Sequence, residues 1–170
     1  MKHNFNKLLF FISFLLLTLS CASLQRPQLR SSISEGLSRN SDFNDNQLYY
    51  PLKKFRISRG FSPSGKNHFG VDFVAPRGTK VFSSHSGKVI YSGSSFSGYG
   101  KLVIIEHPDG FATFYAHLHE RWVKEGQLVN LQQVIGTVGR TGRTTGVHLH
   151  FELRVNKSAV DPIPFLKKMP

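Results

Sequence analysis

From residue 51 onward, short apolar runs alternate with turns that contain glycine and proline. Several runs place apolar and polar residues with the period of about two that a half-buried β-strand requires, and none sustains a helical period of about 3.6. The clearest predicted strands are Lys80–Phe82, Gly87–Tyr91, Leu102–His107, Ala112–His117, Val134–Val138 and His148–Val155. Closely spaced short strands predict an all-β fold, an antiparallel sandwich or barrel-sandwich, over residues 51–170.

The first fifty residues follow a different pattern. A short basic start precedes the apolar run Leu8–Leu19. That run is shorter than the about 20 residues that span a bilayer, but it has the length and flanks of a signal peptide, which we assign to residues 1–20. Residues 21–50 are rich in Ser, Asn and Gln and predict a flexible linker or tether. The sequence therefore predicts an exported protein.

The only cysteine, Cys21, directly follows the predicted signal peptide. Its surroundings resemble a bacterial lipoprotein signal, in which the cysteine is lipidated, although Thr18 stands where leucine is usual. Cleavage after Ala22 is the alternative, because small residues also flank that site. We expect a lipid anchor that makes the chain an outer-membrane lipoprotein of the cell envelope facing the periplasm. A soluble periplasmic or secreted protein is the alternative.

The chain is strongly basic, with 22 Lys and Arg against 10 Asp and Glu and a formal net charge of +12. This excess indicates a polyanionic partner (nucleic acid, anionic lipid or cell-wall polymer) or merely a soluble basic surface. Export and the lack of interleaved aromatic and basic residues argue against nucleic acid. With eight His and one Cys, metal or proton chemistry here must use imidazole and carboxylate groups.

Strand alternation groups some of these histidines. In the predicted strand His148–Val155, His148, His150 and Glu152 share one face, and the apolar residues between them face the core. Two imidazoles and a carboxylate on one face are costly unless something uses them, although a solvated strand face would also accept them.

A second cluster contains His68 and Asp72. On a straight strand these residues lie about 13 Å apart, so the chain must bend at Gly70 if both are to bind one zinc ion. A hydrolytic zinc site keeps three protein ligands and one position open for water. His68, Asp72 and one histidine of the pair His148 and His150 would supply the three.

A third cluster lies at the end of the strand Ala112–His117. If that strand continues, Tyr115, His117 and His119 share a face. His117 and the remaining histidine of the pair are then the available proton acceptor and oxyanion partner. We expect His85 and His107 to be structural or solvated.

Residues 59–166 resemble the lysostaphin-like (LytM-type) zinc endopeptidases that cut peptide bonds in bacterial peptidoglycan. The three histidine-containing segments follow one another along the chain in the same order as the motifs of that family. The segment His68–Asp72 fits the His-x-x-x-Asp motif of that family. The segment Tyr115–Leu118 fits the one that carries a catalytic histidine. Thr141–Glu152 fits the most specific signature of the family, which ends in His-x-His.

The resemblance implies one Zn2+ per domain, bound in a groove. It implies that the metal ligands are His68, Asp72 and His150. It also implies that the catalytic histidines are His117 and His148. Glu152 would orient a ligand histidine by accepting a hydrogen bond from the ring nitrogen that does not bind the metal, or it would make an ordinary buried hydrogen bond. The ligand set and the family both indicate zinc, although such sites accept other divalent ions.

The resemblance also implies the function, a zinc-dependent endopeptidase that hydrolyses crosslinks or stem peptides of peptidoglycan through a metal-activated water. The alternative is a catalytically inactive wall-binding module that activates another murein hydrolase. Degenerate relatives lose ligands and this chain keeps all five positions, which favours the enzyme. The expected partners are peptidoglycan, the membrane through Cys21, and envelope division or wall-remodelling proteins, but no nucleic acid.

Overall fold

The computed structural model describes residues 47–64 and 67–168. The predicted signal peptide, the predicted lipidation site Cys21 and most of the predicted linker lie outside the described residues. Residues 47–50, at the end of that linker, belong to the fold, because Leu48 and Tyr49 form a strand and Leu48 is buried. Among the described residues, none form a helix long and apolar enough to cross a bilayer.

The described residues form an all-β structure, as predicted. The strands are β1 (Leu48–Tyr49), β2 (Arg56–Arg59), β3 (Val71–Val74), β4 (Lys80–Phe82), β5 (Gly87–Gly93), β6 (Leu102–Glu106), β7 (Phe111–Ala116), β8 (Glu120–Arg121), β9 (Leu128–Val129), β10 (Val134–Thr137), β11 (Leu149–Val155), β12 (Ser158–Val160) and β13 (Leu166–Lys167). Two short 3-10 helices, Pro108–Gly110 and Ile163–Phe165, lie between strands.

The strands form three sheets. The large sheet is antiparallel and has the order β2-β3-β11-β7-β6-β5-β9, with β12 also paired to β11. A smaller antiparallel sheet has the order β4-β10-β8, and β1 pairs with β13 in parallel. The strand that carries the His-x-His motif, β11, therefore lies inside the large sheet, between β3 and β7.

One hydrophobic core contains residues of all three sheets. Aromatic rings of the large sheet form its centre: the centroid of Phe151 lies 6.0 Å from that of Phe73 and 5.4 Å from that of Tyr115. Residues of the other two sheets belong to the same buried cluster: Val81, Ile135, Leu48 and Leu166. Burial of these side chains is the main force that joins the sheets.

The two faces of β11 have different environments. His150 lies opposite Asp72 of β3 and Ala116 of β7. The next residue, Phe151, is fully buried in the core. The alternation predicted along this strand is therefore present, and it directs one row of side chains to the core and the other to a cleft on the opposite face.

A chain of buried polar groups runs through the core beside β7. His107, which is 5% exposed, has Nδ1 2.8 Å from the Ser86 carbonyl oxygen and Nε2 2.7 Å from the Thr113 hydroxyl. The Thr113 hydroxyl lies 3.0 Å from that of Tyr115, which accepts the Ser84 N–H at 2.8 Å. His107 is thus structural, as expected, and its neutral ring donates through Nδ1 and accepts at Nε2.

This histidine predicts how stability depends on pH. Burial, together with the neighbouring His85 ring, lowers the pKa of His107 to about 4, against 6.5 for a free histidine. Between those two pH values the unfolded chain binds a proton that the folded chain does not, so the free energy of unfolding falls as pH decreases from 6.5 to 4. The contribution is about 3 kcal/mol at most.

Chemical denaturation between pH 4 and 7 measures this dependence. In His107→Gln the free energy of unfolding should fall less steeply with acid than in the original protein. Equal slopes in the original protein and His107→Gln would contradict the assignment.

Candidate metal centre

Three predicted ligands meet at one point of the cleft. His68 Nε2 lies 3.0 Å from Asp72 Oδ1 and 3.2 Å from His150 Nδ1, and His150 Nδ1 lies 2.8 Å from Asp72 Oδ1. All three residues are buried. Two ligands of a tetrahedral zinc ion lie about 3.3 Å apart, so this triangle of donor atoms has nearly the size of one face of such a site.

The bend predicted between His68 and Asp72 is present. His68 makes an isolated bridge with Ser62, and strand β3 begins only at Val71. Gly70 is required because of space: a Cβ atom there would lie 2.3 Å from the Phe151 carbonyl oxygen and 2.9 Å from His150 Cε1. The glycine thus lets the chain pass close against β11, which brings both motifs together.

Hydrogen bonds on the outer sides of the two rings fix their tautomers. His68 Nδ1 lies 2.7 Å from the Gly60 carbonyl oxygen, and His150 Nε2 lies 3.0 Å from Glu152 Oε1. Each outer nitrogen donates to an acceptor, so the inner nitrogen of each ring is the one that faces the other two ligands. Burial lowers the pKa of His150, but its hydrogen bonds to Asp72 and Glu152 and the charges of both carboxylates outweigh burial and raise it to about 9. Without a metal, His150 Nδ1 therefore carries a proton at pH 7 and donates it to Asp72 Oδ1 at 2.8 Å. A divalent cation would take the place of that proton between the three donor atoms.

Glu152, behind His150, is itself held by two donors. It is 1% exposed, receives a 2.7 Å hydrogen bond from the Tyr99 hydroxyl and pairs with Arg154 Nη2 at 2.7 Å. Burial raises the pKa of Glu152, but the hydrogen bonds from His150, Tyr99 and Arg154 and the charge of Arg154 outweigh burial and lower it. Glu152 is therefore an ionised acceptor for the ring of His150.

The two predicted catalytic histidines lie side by side in the same cleft. The ring centroids of His117 and His148 are 4.9 Å apart, and His148 Nε2 lies 3.5 Å from Asp72 Oδ1. Burial lowers the pKa of His117 to about 4 and also lowers that of His148. Both rings are thus neutral at pH 7, and each can accept a proton.

Backbone carbonyl groups orient these two rings. His117 Nδ1 lies 2.7 Å from the Thr141 carbonyl oxygen, and His148 Nδ1 lies 3.1 Å from the Gly146 carbonyl oxygen. With Nδ1–H donated in each case, Nε2 of both rings carries the free lone pair.

The strand that carries Tyr115 does not continue to His119, so the condition under which Tyr115, His117 and His119 would share a face is not met. Strand β7 ends at Ala116, and His117 has the left-handed φ of 60°. Tyr115 is fully buried in the core, whereas His117 lines the cleft. His119 lies outside the cleft lining, with Nδ1 3.0 Å from Arg77 Nη2. The left-handed residue interrupts the alternation, so the three side chains do not share a face.

Thr141 is a structural residue whose role the sequence did not reveal. Its hydroxyl accepts the Lys101 N–H at 2.9 Å and donates to the Leu118 carbonyl oxygen at 2.9 Å, while its own carbonyl holds His117. The family signature identified in the sequence begins at Thr141, but only the fold brings this residue against Lys101 and Leu118. Tyr99 and Arg154, which hold Glu152, were likewise not assigned from sequence.

The cleft has a cavity volume of about 570 Å³. All five predicted site residues and Glu152 line it, together with Arg59 at the end of β2 and residues of three loops: Asn67, Phe69, Ser97, Gly98, Tyr99, Arg143, Thr144 and Thr145. The donor triangle and the two neutral imidazoles therefore face a space that a substrate can enter.

Comparison with protein families gives a match to the model described as Peptidase family M23, over residues 66–162. The chain is 39% identical to the Uncharacterized lipoprotein YgeR of Escherichia coli and 46% identical to the DD-carboxypeptidase/endopeptidase Mpg of Neisseria meningitidis. These matches cover 65% and 66% of this chain, and 44% and 27% of the relatives. The Murein hydrolase activator NlpD of Salmonella typhimurium is 35% identical, with 65% of this chain and 29% of the relative covered. The chain thus spans less than half of each relative.

The fold of this chain is similar to that of solved peptidase structures, of which two are described here. A zinc containing peptidase from Vibrio cholerae has a TM-score of 0.65 and 39% identity, with 69% of this chain and 39% of that chain covered. The antimicrobial peptidase lysostaphin from Staphylococcus simulans has a TM-score of 0.65 and 35% identity, with 72% and 53% covered.

The contacts of Thr141 predict a loss of stability. Thr141→Val keeps the shape of the side chain but leaves the Lys101 N–H and the Leu118 carbonyl without this partner, which should cost about 1–3 kcal/mol in the free energy of unfolding. Thr141→Ser keeps the hydroxyl and should remain close to the original protein. Chemical denaturation measures both, and equal losses in the two variants would contradict the role of the hydroxyl.

The position of Glu152 predicts an effect on metal affinity. Glu152→Gln replaces the ionised acceptor behind His150 and should weaken zinc binding by about 10- to 100-fold. Competition with a chromogenic chelator measures the dissociation constant. The exposed Glu125→Gln is the matched control, and circular dichroism checks that each variant is folded. Equal zinc affinity of the folded variant and the control would rule out this role.

Proposed function

This chain belongs to peptidase family M23, and we propose that it is a zinc-dependent endopeptidase that hydrolyses peptide bonds of bacterial peptidoglycan, in crosslinks or stem peptides. The observation that carries the proposal is the convergence of three buried donor atoms beside two neutral imidazoles in an open cleft. A hydrolytic metal site needs those parts: ligands, an open side for substrate, and groups that move protons.

His68, Asp72 and His150 are the proposed zinc ligands, and Glu152 is the proposed residue that orients His150. Their donor triangle and fixed tautomers fit zinc, which prefers nitrogen and carboxylate ligands in tetrahedral geometry. Zinc bound by these residues would act as a Lewis acid and would lower the pKa of a bound water to about 7. The protein residues contribute the orientation, because each outer ring nitrogen is committed to an acceptor.

His117 and His148 are the proposed catalytic residues. Both rings are neutral at pH 7 and present Nε2, so one can accept the proton of the attacking water. The protonated ring can then stabilise negative charge on the substrate carbonyl oxygen or return the proton to the leaving amine. The carbonyls of Thr141 and Gly146 hold these rings in place during both steps.

The second candidate is an inactive wall-binding module that activates another murein hydrolase. The specific observation in its favour is the similarity to the murein hydrolase activator of Salmonella typhimurium. Against it stands the complete set of site residues in one cleft: His68, Asp72, His117, His148 and His150. We therefore favour the enzyme.

We further propose that residues 1–20 are a signal peptide, that Cys21 carries a lipid anchor, and that residues after it tether the domain to the envelope membrane. The Escherichia coli relative, named a lipoprotein, supports this placement. Peptidoglycan and wall-remodelling proteins are then the proposed partners, and the net charge of +12 suits an anionic envelope.

Incubation of the zinc-loaded protein with purified peptidoglycan, followed by mass spectrometry of the muropeptides, tests the enzyme. Crosslinked species or intact stem peptides should decrease, and a chelator should stop the decrease. His117→Ala and His148→Ala should keep zinc but lose about 100- to 10,000-fold in rate, because each removes a proton-transfer group.

His119→Ala is the control, since this histidine lies outside the cleft lining and should leave the rate unchanged. Unchanged muropeptides with a folded, zinc-loaded protein would contradict the enzyme. Faster cleavage by an added murein hydrolase in the same assay would then support the activator.

A further inference from the structure

Strands β13 and β4 lie on either side of the segment that follows β1. The Tyr50 N–H donates to the Lys167 carbonyl oxygen of β13 at 3.0 Å, and the Phe82 N–H of β4 donates to the Pro51 carbonyl oxygen at 2.9 Å. Hydrogen-bonded neighbours lie about 5 Å apart, so β13 and β4 are about 10 Å from each other. Side chains of these two strands can therefore contribute to one surface.

Alternation directs a lysine of each strand outward. Val81 of β4 and Leu166 of β13 belong to the same buried core. Lys80 and Lys167 directly adjoin them in sequence, so their side chains point away from that core. Both lysines are exposed, which agrees with this placement.

A pocket on the outer side of β4 adds a second lysine there. Lys53 Nζ lies 5.4 Å from the centroid of the Phe82 ring, and both residues line the pocket with Thr79, Lys80 and Val134. Its cavity volume is about 350 Å³. Two ammonium groups and a hydroxyl beside an apolar floor suit an anionic group that is joined to an apolar part. We call the surface of Lys53, Lys80 and Lys167 the lysine face.

An exposed aromatic residue adjoins the lysine face where the described residues begin. The side-chain amide of Gln47 donates to the Phe165 carbonyl oxygen at 3.1 Å, and Phe165 is 50% exposed. In the sequence, Phe165 and Lys167 stand on either side of the buried Leu166. Exposed aromatic rings beside lysines are typical of surfaces that contact the interface of a bilayer.

Acidic side chains do not neutralise the lysine face. Among the residues that the structure describes, no carboxylate forms an ion pair with any of its three lysines. Two acidic residues of nearby segments have other partners. Glu120 Oε2 accepts the Trp122 indole N–H at 3.0 Å, and Asp161 Oδ1 accepts the Ile163 backbone N–H at 3.0 Å. The charge of the face is therefore positive.

Resting on the lipid anchor in the proposed function, we propose that the lysine face and Phe165 dock the domain on anionic phospholipids of the membrane. The ammonium groups bind lipid phosphates, and the aromatic ring enters the headgroup layer. About 25 residues separate Cys21 from Gln47, and a flexible tether of that length spans about 25–30 Å on average. Such a tether keeps the face at a high local concentration beside the bilayer, so weak contacts are sufficient.

The three lysines should set the strength of docking. Each lysine close to an anionic bilayer strengthens binding by about fivefold. The triple variant Lys53→Gln, Lys80→Gln, Lys167→Gln, which we call the face variant, should therefore reduce the ratio of docked to undocked domain by about 100-fold on anionic vesicles. It should cleave soluble muropeptides like the original protein, because these lysines lie outside the cleft lining.

A control variant removes the same charge from another part of the surface. It changes three exposed lysines in turns and strands away from β1, β4 and β13: Lys88→Gln, Lys124→Gln and Lys157→Gln. Because the net charge of the two triple variants is equal, a difference between them reports the position of the lysines and not the total charge.

Quenching of tryptophan fluorescence by brominated lipids measures docking. Phe165→Trp in a Trp122→Phe background gives the full chain one tryptophan, at the proposed contact. Vesicles with brominated acyl chains contain either phosphatidylcholine alone or equal parts of phosphatidylcholine and phosphatidylglycerol. Quenching should be stronger on the anionic vesicles. Added salt and the face variant should each remove this difference, and the control variant should keep it.

The outcomes separate docking from the other proposals. Equal quenching on both kinds of vesicle, or equal loss in the face and control variants, would overturn the docking role. If only the face variant then lost binding to purified peptidoglycan, the face would belong to the wall instead. Failure to sediment with phosphatidylcholine vesicles would count against the anchor alone, because the two triple variants on anionic vesicles still decide the docking. Absence of muropeptide cleavage with docking intact would count against the enzyme alone.

Discussion

The pairing of β3 with β11, which sets Asp72 opposite His150, is the constraint on which the rest of the site depends. This register joins a motif near residue 70 to one near residue 150 and puts a carboxylate against an imidazole at 2.8 Å. Gly70 allows the close approach because no Cβ atom would fit beside the Phe151 carbonyl. The same strand buries Phe151 in the core, so packing energy on one face holds the polar groups on the other.

The four cleft histidines share one structural principle. Each donates its outer nitrogen to a fixed acceptor and presents the other nitrogen to the cleft. Three of the acceptors are backbone carbonyls, those of Gly60, Thr141 and Gly146, and the fourth is Glu152. Loop conformation therefore orients three of the four rings, and a side chain of β11 itself orients the fourth.

Much of the fold and site could be predicted from the sequence, and the failures have identifiable causes. Long alternating segments such as His148–Val155 predicted both the strand and its two faces. The four-residue strand β3 was not among the predicted strands, because Val71–Val74 is too short for its alternation to identify a strand. The shared face proposed for Tyr115 and His117 failed at one left-handed residue. The predicted linker included Leu48, which is buried in the core, because no alternation of apolar and polar residues in the sequence marks this position as part of a strand.

The sequence alone determined the all-β class and the family, and it predicted the residues that meet in the cleft, because strand periodicity and short motifs are local properties of the chain. Only the tertiary structure decided which residues support them. Thr141, Tyr99 and Arg154 act through contacts with distant segments, as Tyr99 does with Glu152 at 2.7 Å. Such contacts arise from long-range pairing, which no local pattern records.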